Sequence, residues 1–492
     1  MSTIDEPPFL FPKFVSKSTA IQFSYGVWVS LVNIGIGLAF AFPLVIIPQL
    51  HRDSSSINFD RNQQSWIAHT LTLCAAMGCL INGYIADRYG RRVVLTICEV
   101  PSCVGWLYIA FASSTLHVLI GRAISGIGCG MAMGTPRTYI SEISQPNMRG
   151  LIGVVPNVFI SLGLVLQSVL GVTMSWRSAC YVSAIFCALI GCANYFLHET
   201  PYYVLMTDDS DDNIMESLKR FRPAGSDIND ELDHMLDFKL RNDIRRPRFI
   251  EQIKLIFSVE VCQPFCIVTI FLLITQLAGV TIIFFWTTDF LEVSNIIVKS
   301  EVEQCFVAFT RFGVGVCSAI LTYKVGTKPQ SIVSSLGVGI TCLFLGTLLS
   351  CKVDLYVLVV ACYVVFIIFV TLGYYTLPLT MMYELYPLQI RGLLGAISVS
   401  SFNIMIFGSS VLVSFIREAF GQVHVIFMFG VISVIEFFYL LYCVPETKNL
   451  TLPEIEEFFK NQREPRRNVV ASQLSQASTR HIKNLTSRMH LK

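Results

Sequence analysis

The sequence predicts an all-α polytopic membrane protein with twelve transmembrane helices in two six-helix bundles, and three observations lead there. The 492 residues are 53% hydrophobic and only 14% charged, with a mean hydropathy of +0.60, whereas globular chains carry about a quarter charged residues. Apolar stretches of about 20 residues, enough to cross a hydrocarbon core of about 30 Å as helix, recur along the chain. Short motifs of the first half return in the second in the same order at nearly one offset, the mark of a tandem duplication.

The elements follow in order. Residues 1–21 carry Pro and acidic residues where a signal peptide needs a basic start and a clean apolar core, so the first span is expected to serve as the signal anchor. Spans are expected near 22–47, 64–86, 93–112, 116–141, 150–172 and 177–197, giving a bundle over 22–197. Residues 198–260 are polar; "IMESLKRF" and "DELDHMLDFKLRNDIRR" space apolar residues helically and predict short amphipathic helices. The second six spans are expected near 262–289, 301–323, 331–350, 354–381, 392–415 and 423–444, a bundle over 262–444. The tail, 445–492, loses apolar periodicity from about 461 and is expected to be disordered, with Arg466, Arg467, Arg480 and Lys483 available to anionic membrane lipid.

Arg88, Arg91, Arg92 and Arg149 fall in short loops on the same side as the central segment and tail, which the positive-inside rule makes cytoplasmic. A net charge of +2 offers no basic face for nucleic acid. The 16 cysteines read as scattered buried thiols, without metal-ligand spacing. No Ser/His/Asp constellation, metal cluster or phosphate loop stands out, so neither an enzyme nor a cofactor is expected. Gly126, Gly130 and Gly134 share one helical face and predict close helix packing rather than a nucleotide loop.

"EISQPNMRG" (Glu142 to Gly150) and "ELYPLQIRG" (Glu384 to Gly392) share E-x6-R-G; Gly90 has a counterpart in Gly326, and Glu199 of "HETP" one in Glu446 of "PETK". Parallel six-helix repeats are a transporter architecture, with the substrate site between the halves near the midplane. Asp87 ends the second helix, where exposed carbonyls disfavour a bare carboxylate, and Gly90 permits the tight reversal that follows. Arg88, Arg91 and Arg92 can then pair with Asp87 and Glu142. A charged latch is expected from these residues with Gly90, Arg149, Glu199, Lys328, Glu384, Arg391 and Glu446. Its second copy is weaker, because "YKVGTK" puts Tyr323 and Thr327 where an acid and an arginine are expected and leaves Lys324 and Lys328 for Glu384.

"DRYGRR" (87–92), "GRAISGIGCG" (121–130), "YISEISQPNMRG" (139–150), "ETP" (199–201), "YELYPLQIRG" (383–392) and "VPETKNLTLPEIEEF" (444–458) together resemble the sugar porter family of the major facilitator superfamily, nearest to insect facilitated trehalose and glucose transporters. The resemblance implies alternating access by rocking two bundles, with the central-loop helices joining the latch, and a monomer in the plasma membrane. It implies substrate contacts from Asn157 in the fifth span, Gln276 and Thr281 in the seventh, and Asn403 in the eleventh. The chain departs from the family pattern at Thr275, Ala278, Thr281 and Leu379, and at Arg311, where an asparagine is usual. An intramembrane arginine is costly unless it faces a cavity or a partner, so Arg311 either meets a polar or anionic substrate or pairs with Asp289 or Glu303. Glu99, Arg137 and Glu436 are expected to extend the latch or reach the interface. Proton-driven relatives place an Asp in the first span where this chain has Ala41, which favours a facilitator. A carrier of a non-sugar solute, an anion among the candidates, and a non-transporting nutrient receptor are the alternatives.

Overall fold

The computed structural model describes residues 17–52, 61–207, 210–222, 228–241, 249–256, 258–280, 300–351, 356–374, 376–448, 450 and 452–461. All regular structure among the described residues is helical. Eleven helices are long and apolar enough to span a membrane: Thr19–Leu50, Gln63–Tyr89, Arg91–Ala110, Thr115–Ile143, Met148–Thr173 and Trp176–Asn194 in the first half, and Gln304–Val325, Thr327–Ser350, Val357–Leu385, Arg391–Phe420 and Gln422–Tyr442 in the second. The described part of the seventh span is Val261–Leu277. Thr281 and Asp289 lie outside the described residues, as do the side chain of Glu303 and the tail cations.

Local sequence sets the helix ends. Ser114 and Ser175 each accept the N–H three residues on, a serine N-cap that satisfies an otherwise unpaired donor. Gly90 and Gly326, with φ of 99° and 106°, make the reversals after the second and eighth spans in a region that L side chains avoid. In the fourth span the small residues let helices approach closely: a Cβ on Gly126 would lie 2.7 Å from the Leu71 carbonyl, and one on Gly130 2.0 Å from that of Ala75.

The tenth span is not the continuous helix expected over 354–381. It runs as helix over Tyr356–Phe369, as a π-turn over Val370–Tyr374, and again as helix over Leu377–Leu385. Pro378 at the start of the last piece removes a backbone donor and prevents the upstream turn from closing normally. Carbonyls around the break also take side-chain donors from neighbouring spans. Leu372 O accepts from Ser318 Oγ and Gln330 Nε2, each at 2.5 Å, and Phe369 O accepts from Ser334 Oγ at 2.5 Å. Lipid offers no hydrogen bonds, so such a break survives only where protein groups answer it.

The two bundles meet along two seams. The second span lies on the eleventh, from Trp66, tilted, and His69, edge-on, against Phe407 at one end to Gly83 against Ala396 at the other. The fifth lies on the eighth, through Val158 beside Gly315 and Gly150 beside Thr322. At the end carrying Gly90 and Gly326, helices Pro201–Thr207, Asp211–Phe221, Ile228–Arg241 and Phe249–Ile256 lie between the halves in sequence. Leu205, Ile214, Leu218, Leu232 and Met235 form a small core of their own, which explains the amphipathic spacing. Helix Leu452–Asn461 follows the twelfth span.

Candidate functional site: a duplicated latch beneath a polar core

At the Gly90 end, Arg91 is almost wholly buried and its guanidinium converges on Glu142: Nε and Nη2 donate to Oε1 at 3.2 and 2.9 Å, while Nη1 reaches the Ala86 carbonyl at 3.1 Å and lies 3.9 Å from Asp87. Thr200 Oγ1 donates to the other Glu142 oxygen. Glu199 accepts the backbone N–H groups of Arg91 and Arg92 at 3.0 and 3.2 Å and lies directly over Gly90, where a Cβ would meet its Oε2 at 2.2 Å. Burial pushes the Glu199 carboxyl above its ordinary range, against the opposing pull of Arg91 and of three backbone N–H groups. Arg92 donates to the Tyr195 carbonyl at 2.7 Å, and Arg88 to the Tyr84 hydroxyl at 2.5 Å.

The second half repeats this pattern without its arginine. Glu384 accepts from Thr447 at 2.6 Å as Glu142 does from Thr200, and Glu446 lies over Gly326 as Glu199 does over Gly90. Thr327 occupies the position of Arg91. Lys328 does not turn to Glu384; its ammonium donates to the Leu441 carbonyl at 3.3 Å, and Lys448 bonds the carbonyl of Lys324 at 2.7 Å. The charge facing Glu384 is instead Arg149 of the other bundle, which also donates to the Leu450 carbonyl at 3.2 Å. Arg391 bonds the Tyr386 carbonyl at 3.1 and 3.0 Å and faces Glu142. Each E-x6-R-G arginine thus looks across to the other half's glutamate. A Cβ on Gly392 would lie 2.1 Å from Asp87 Oδ1, so the halves are in contact and this end is closed.

Above the latch, Asn157 uses both ends of its amide. Its Nδ2 donates to the Thr376 carbonyl at 3.1 Å across the bundle boundary, just past the π-turn, and its Oδ1 accepts from Arg137 Nη2 at 2.8 Å. Thr380 makes a second crossing, donating to the Gly153 carbonyl at 3.2 Å. Gln276 and Arg311 are buried in the seventh and eighth spans. Arg311 lies one turn before Gly315 on the face packed against the fifth span. Asn403 is fully buried on the eleventh span, bonded to the Val399 carbonyl at 2.8 Å and to Met133 Sδ at 3.3 Å.

Three intramembrane charges depart from expectation: none joins the latch. Arg137 bonds Asn157 and the Met133 carbonyl. Glu99 lies inside the first bundle against Cys187 and Gly35. Glu436 is fully buried in the second, accepting from Thr275 Oγ1 at 2.9 Å. All three are buried in the protein interior instead of reaching an interface. Sequence reasoning missed Ser318, Gln330, Ser334 and Thr376; the pair Gln330 and Ser334, four residues apart in an apolar span, was the available signal.

Near the opposite end Arg122 is buried on the fourth span. Its Nε donates to the Ile67 carbonyl at 2.9 Å, its Nη1 to that of Ala39 at 2.6 Å, and its charge lies over the Phe42 ring. Among the described residues no carboxylate pairs with it.

The sequence pattern of the family described as Sugar (and other) transporter matches residues 28–459. The chain belongs to that family. It is 25% identical to the facilitated trehalose transporter Tret1-2 homolog of Drosophila simulans over 87% of this chain and 88% of that one, and 25% identical to the facilitated trehalose transporter Tret1 of Apis mellifera ligustica over 88% and 86%. It superposes on the proton:xylose symporter XylE of E. coli, bound to 6-bromo-6-deoxy-D-glucose, with a TM-score of 0.73 at 19% identity, over 89% of this chain and 99% of that one. The likeness establishes the twelve-helix major facilitator fold in two six-helix bundles. The chain is a membrane transporter and not an enzyme.

Proposed function

We propose that this protein is a facilitative carrier of a sugar such as trehalose or a hexose, working by alternating access as a monomer in the plasma membrane. In this reading the latch face and both termini are cytosolic, and the described structure is the state closed to the cytosol. The bundles are 22–197 and 262–444, joined by the loop 198–260. Substrate is held between the halves by Gln276, Arg311 and Asn403, together with Asn157 once the cytosolic end opens and its tie to Thr376 parts. Asp87, Arg88, Gly90, Arg91 and Arg92, with Glu142, Arg149, Glu199, Glu384, Arg391 and Glu446, act as the latch, while Lys328 stays within its own bundle. The family and the trehalose-carrying relatives support a sugar.

The observation that carries facilitation, rather than proton coupling, is Arg122. A coupled carrier needs a carboxylate that gains and loses a proton against a counter-charge. The first span holds no acid from Val32 to Gln49, and Arg122 rests on two carbonyls and a ring. The test is zero-trans uptake of labelled trehalose and glucose into oocytes, with and without a proton gradient. Saturable flux indifferent to the gradient is expected. Flux that collapses with the gradient overturns facilitation, and no flux from surface-expressed protein overturns the sugar.

A further inference from the structure

Cys262 and Cys266 stand one turn apart near the start of the seventh span, both exposed, with their sulfurs 3.8 Å from each other. The span begins at the N-cap Ser258, so both thiols lie within about two turns of its latch-face end. Cys443, the C-cap of the twelfth span, is exposed at the same face. Tyr439, one turn before it, donates to the Ile267 carbonyl at 2.9 Å, which sets the two span ends side by side. Three thiols therefore gather along one outward rim, whereas Cys79, Cys98, Cys129, Cys180, Cys187 and Cys342 are buried. Beyond Cys266 the exposed face continues through Ile270 and Leu273, an apolar track about 10 Å long beside the lipid.

We propose that Cys262, Cys266 and Cys443 form an S-acylation site at the cytosolic rim between the seventh and twelfth spans, taking long-chain fatty acyl groups from acyl-CoA by way of a membrane acyltransferase. The cysteine sulfur attacks the carbonyl carbon of the acyl-CoA thioester, and the carbon–sulfur bond to CoA breaks. The departing CoA sulfur takes up the proton that the cysteine loses, and nothing is oxidised or reduced. The thiols lie where the boundary between headgroups and acyl chains would fall, and juxtamembrane cysteines of this kind are the usual acceptors. The Ile270–Leu273 face gives an attached chain an apolar surface to lie along. This inference rests on the cytosolic placement of the latch face.

The test uses the full chain in insect cells. Free thiols are blocked, thioesters are cleaved with neutral hydroxylamine, and newly freed thiols receive a maleimide mass tag. Hydroxylamine-dependent mass steps are expected in the wild type, with one step lost in Cys443→Ser and all lost in the triple variant Cys262→Ser/Cys266→Ser/Cys443→Ser at unchanged surface expression. No hydroxylamine-dependent step, steps that persist in the triple variant, or steps released only by a reducing agent (a disulfide) would each overturn it. An impermeant maleimide applied outside intact cells separates the two readings. If it blocks Cys443, the sidedness fails and the acylation proposal falls with it; if it leaves Cys443 untouched while hydroxylamine frees nothing, acylation alone fails.

Discussion

Gly83→Ala should prise open the latch end without harming either bundle. A Cβ on Gly83 would lie 2.5 Å from the Ala396 Cβ across the seam between the second and eleventh spans, where carbon atoms settle about 3.5–4.0 Å apart. Both atoms are fixed by helix backbone, so no rotamer change relieves the clash and the helices must separate by about 1 Å or more. Overpacking of this kind costs about 1–3 kcal/mol, and it falls on the closed state alone because the seam parts when that end opens. The modest gain in helix propensity from Gly to Ala applies equally to both states. The ratio of closed to open should therefore fall by about 5- to 150-fold. The assay is the alkylation rate of a cysteine placed at Gly150, which faces Thr322 across the other seam, in inside-out vesicles, against the same vesicles lacking it. The rate should rise in Gly83→Ala and return toward the original when Ala396→Gly is added, since the second change removes the opposing methyl. A folded Gly83→Ala protein with an unchanged rate, or a rise that Ala396→Gly does not reverse, refutes the reasoning.

Other outcomes follow from the same geometry. Arg91→Ala leaves the Glu142 carboxylate buried without its guanidinium and should cost about 3–5 kcal/mol of stability, read as a large fall in thermal midpoint in detergent; a shift of a degree or less would argue against a buried pair. Glu199→Gln should be mild, about 1 kcal/mol or less, because burial already disfavours the charge. Its folded-state pKa is raised, so wild-type stability relative to Glu199→Gln should be greatest in acid and decline as pH rises from about 4.3 upward through the folded value; thermal midpoints at several pH values give the sign. Asn157→Leu removes the amide shared by Arg137 and Thr376. It should raise the KM for sugar and speed Gly150 cysteine alkylation about 5-fold, one hydrogen bond's worth; an unchanged KM would remove Asn157 from the substrate contacts.

Much of the fold is legible in the sequence because it depends on properties read one residue at a time. Hydrophobic length marks the spans, arginine position marks one face, and E-x6-R-G marks the repeat. The charged residues that gather at the Gly90 end are legible in the sequence, their pairing less so. Lys328 was expected beside Glu384, yet the ammonium finds the Leu441 carbonyl while Arg149 faces Glu384 from the other bundle, a relation that no spacing along the chain encodes. The tenth span was read as one helix because its apolar run is unbroken. Pro378 alone does not say whether the upstream carbonyls can be satisfied; that depends on Ser318, Gln330 and Ser334, which lie 35–54 residues before the carbonyls they bond and meet them only in the fold. Arg137 was placed with the latch by its depth, but its partner is the amide of Asn157 on the next span.

The carbonyl of Thr376 accepts from Asn157 of the opposite bundle at 3.1 Å in the closed state, and the single Thr380 hydroxyl proton is shared between this carbonyl at 3.1 Å and that of Gly153 across the boundary at 3.2 Å. When the halves rock apart both crossings are withdrawn and the Thr380 hydroxyl is left to the Thr376 carbonyl alone. The oxygen is therefore never stranded in the low-dielectric interior, where an unanswered acceptor would add about 1–3 kcal/mol to the barrier. The local threonine works as a standby ligand that lets the foreign amide come and go, so the joint can release at each turnover without becoming a kinetic trap.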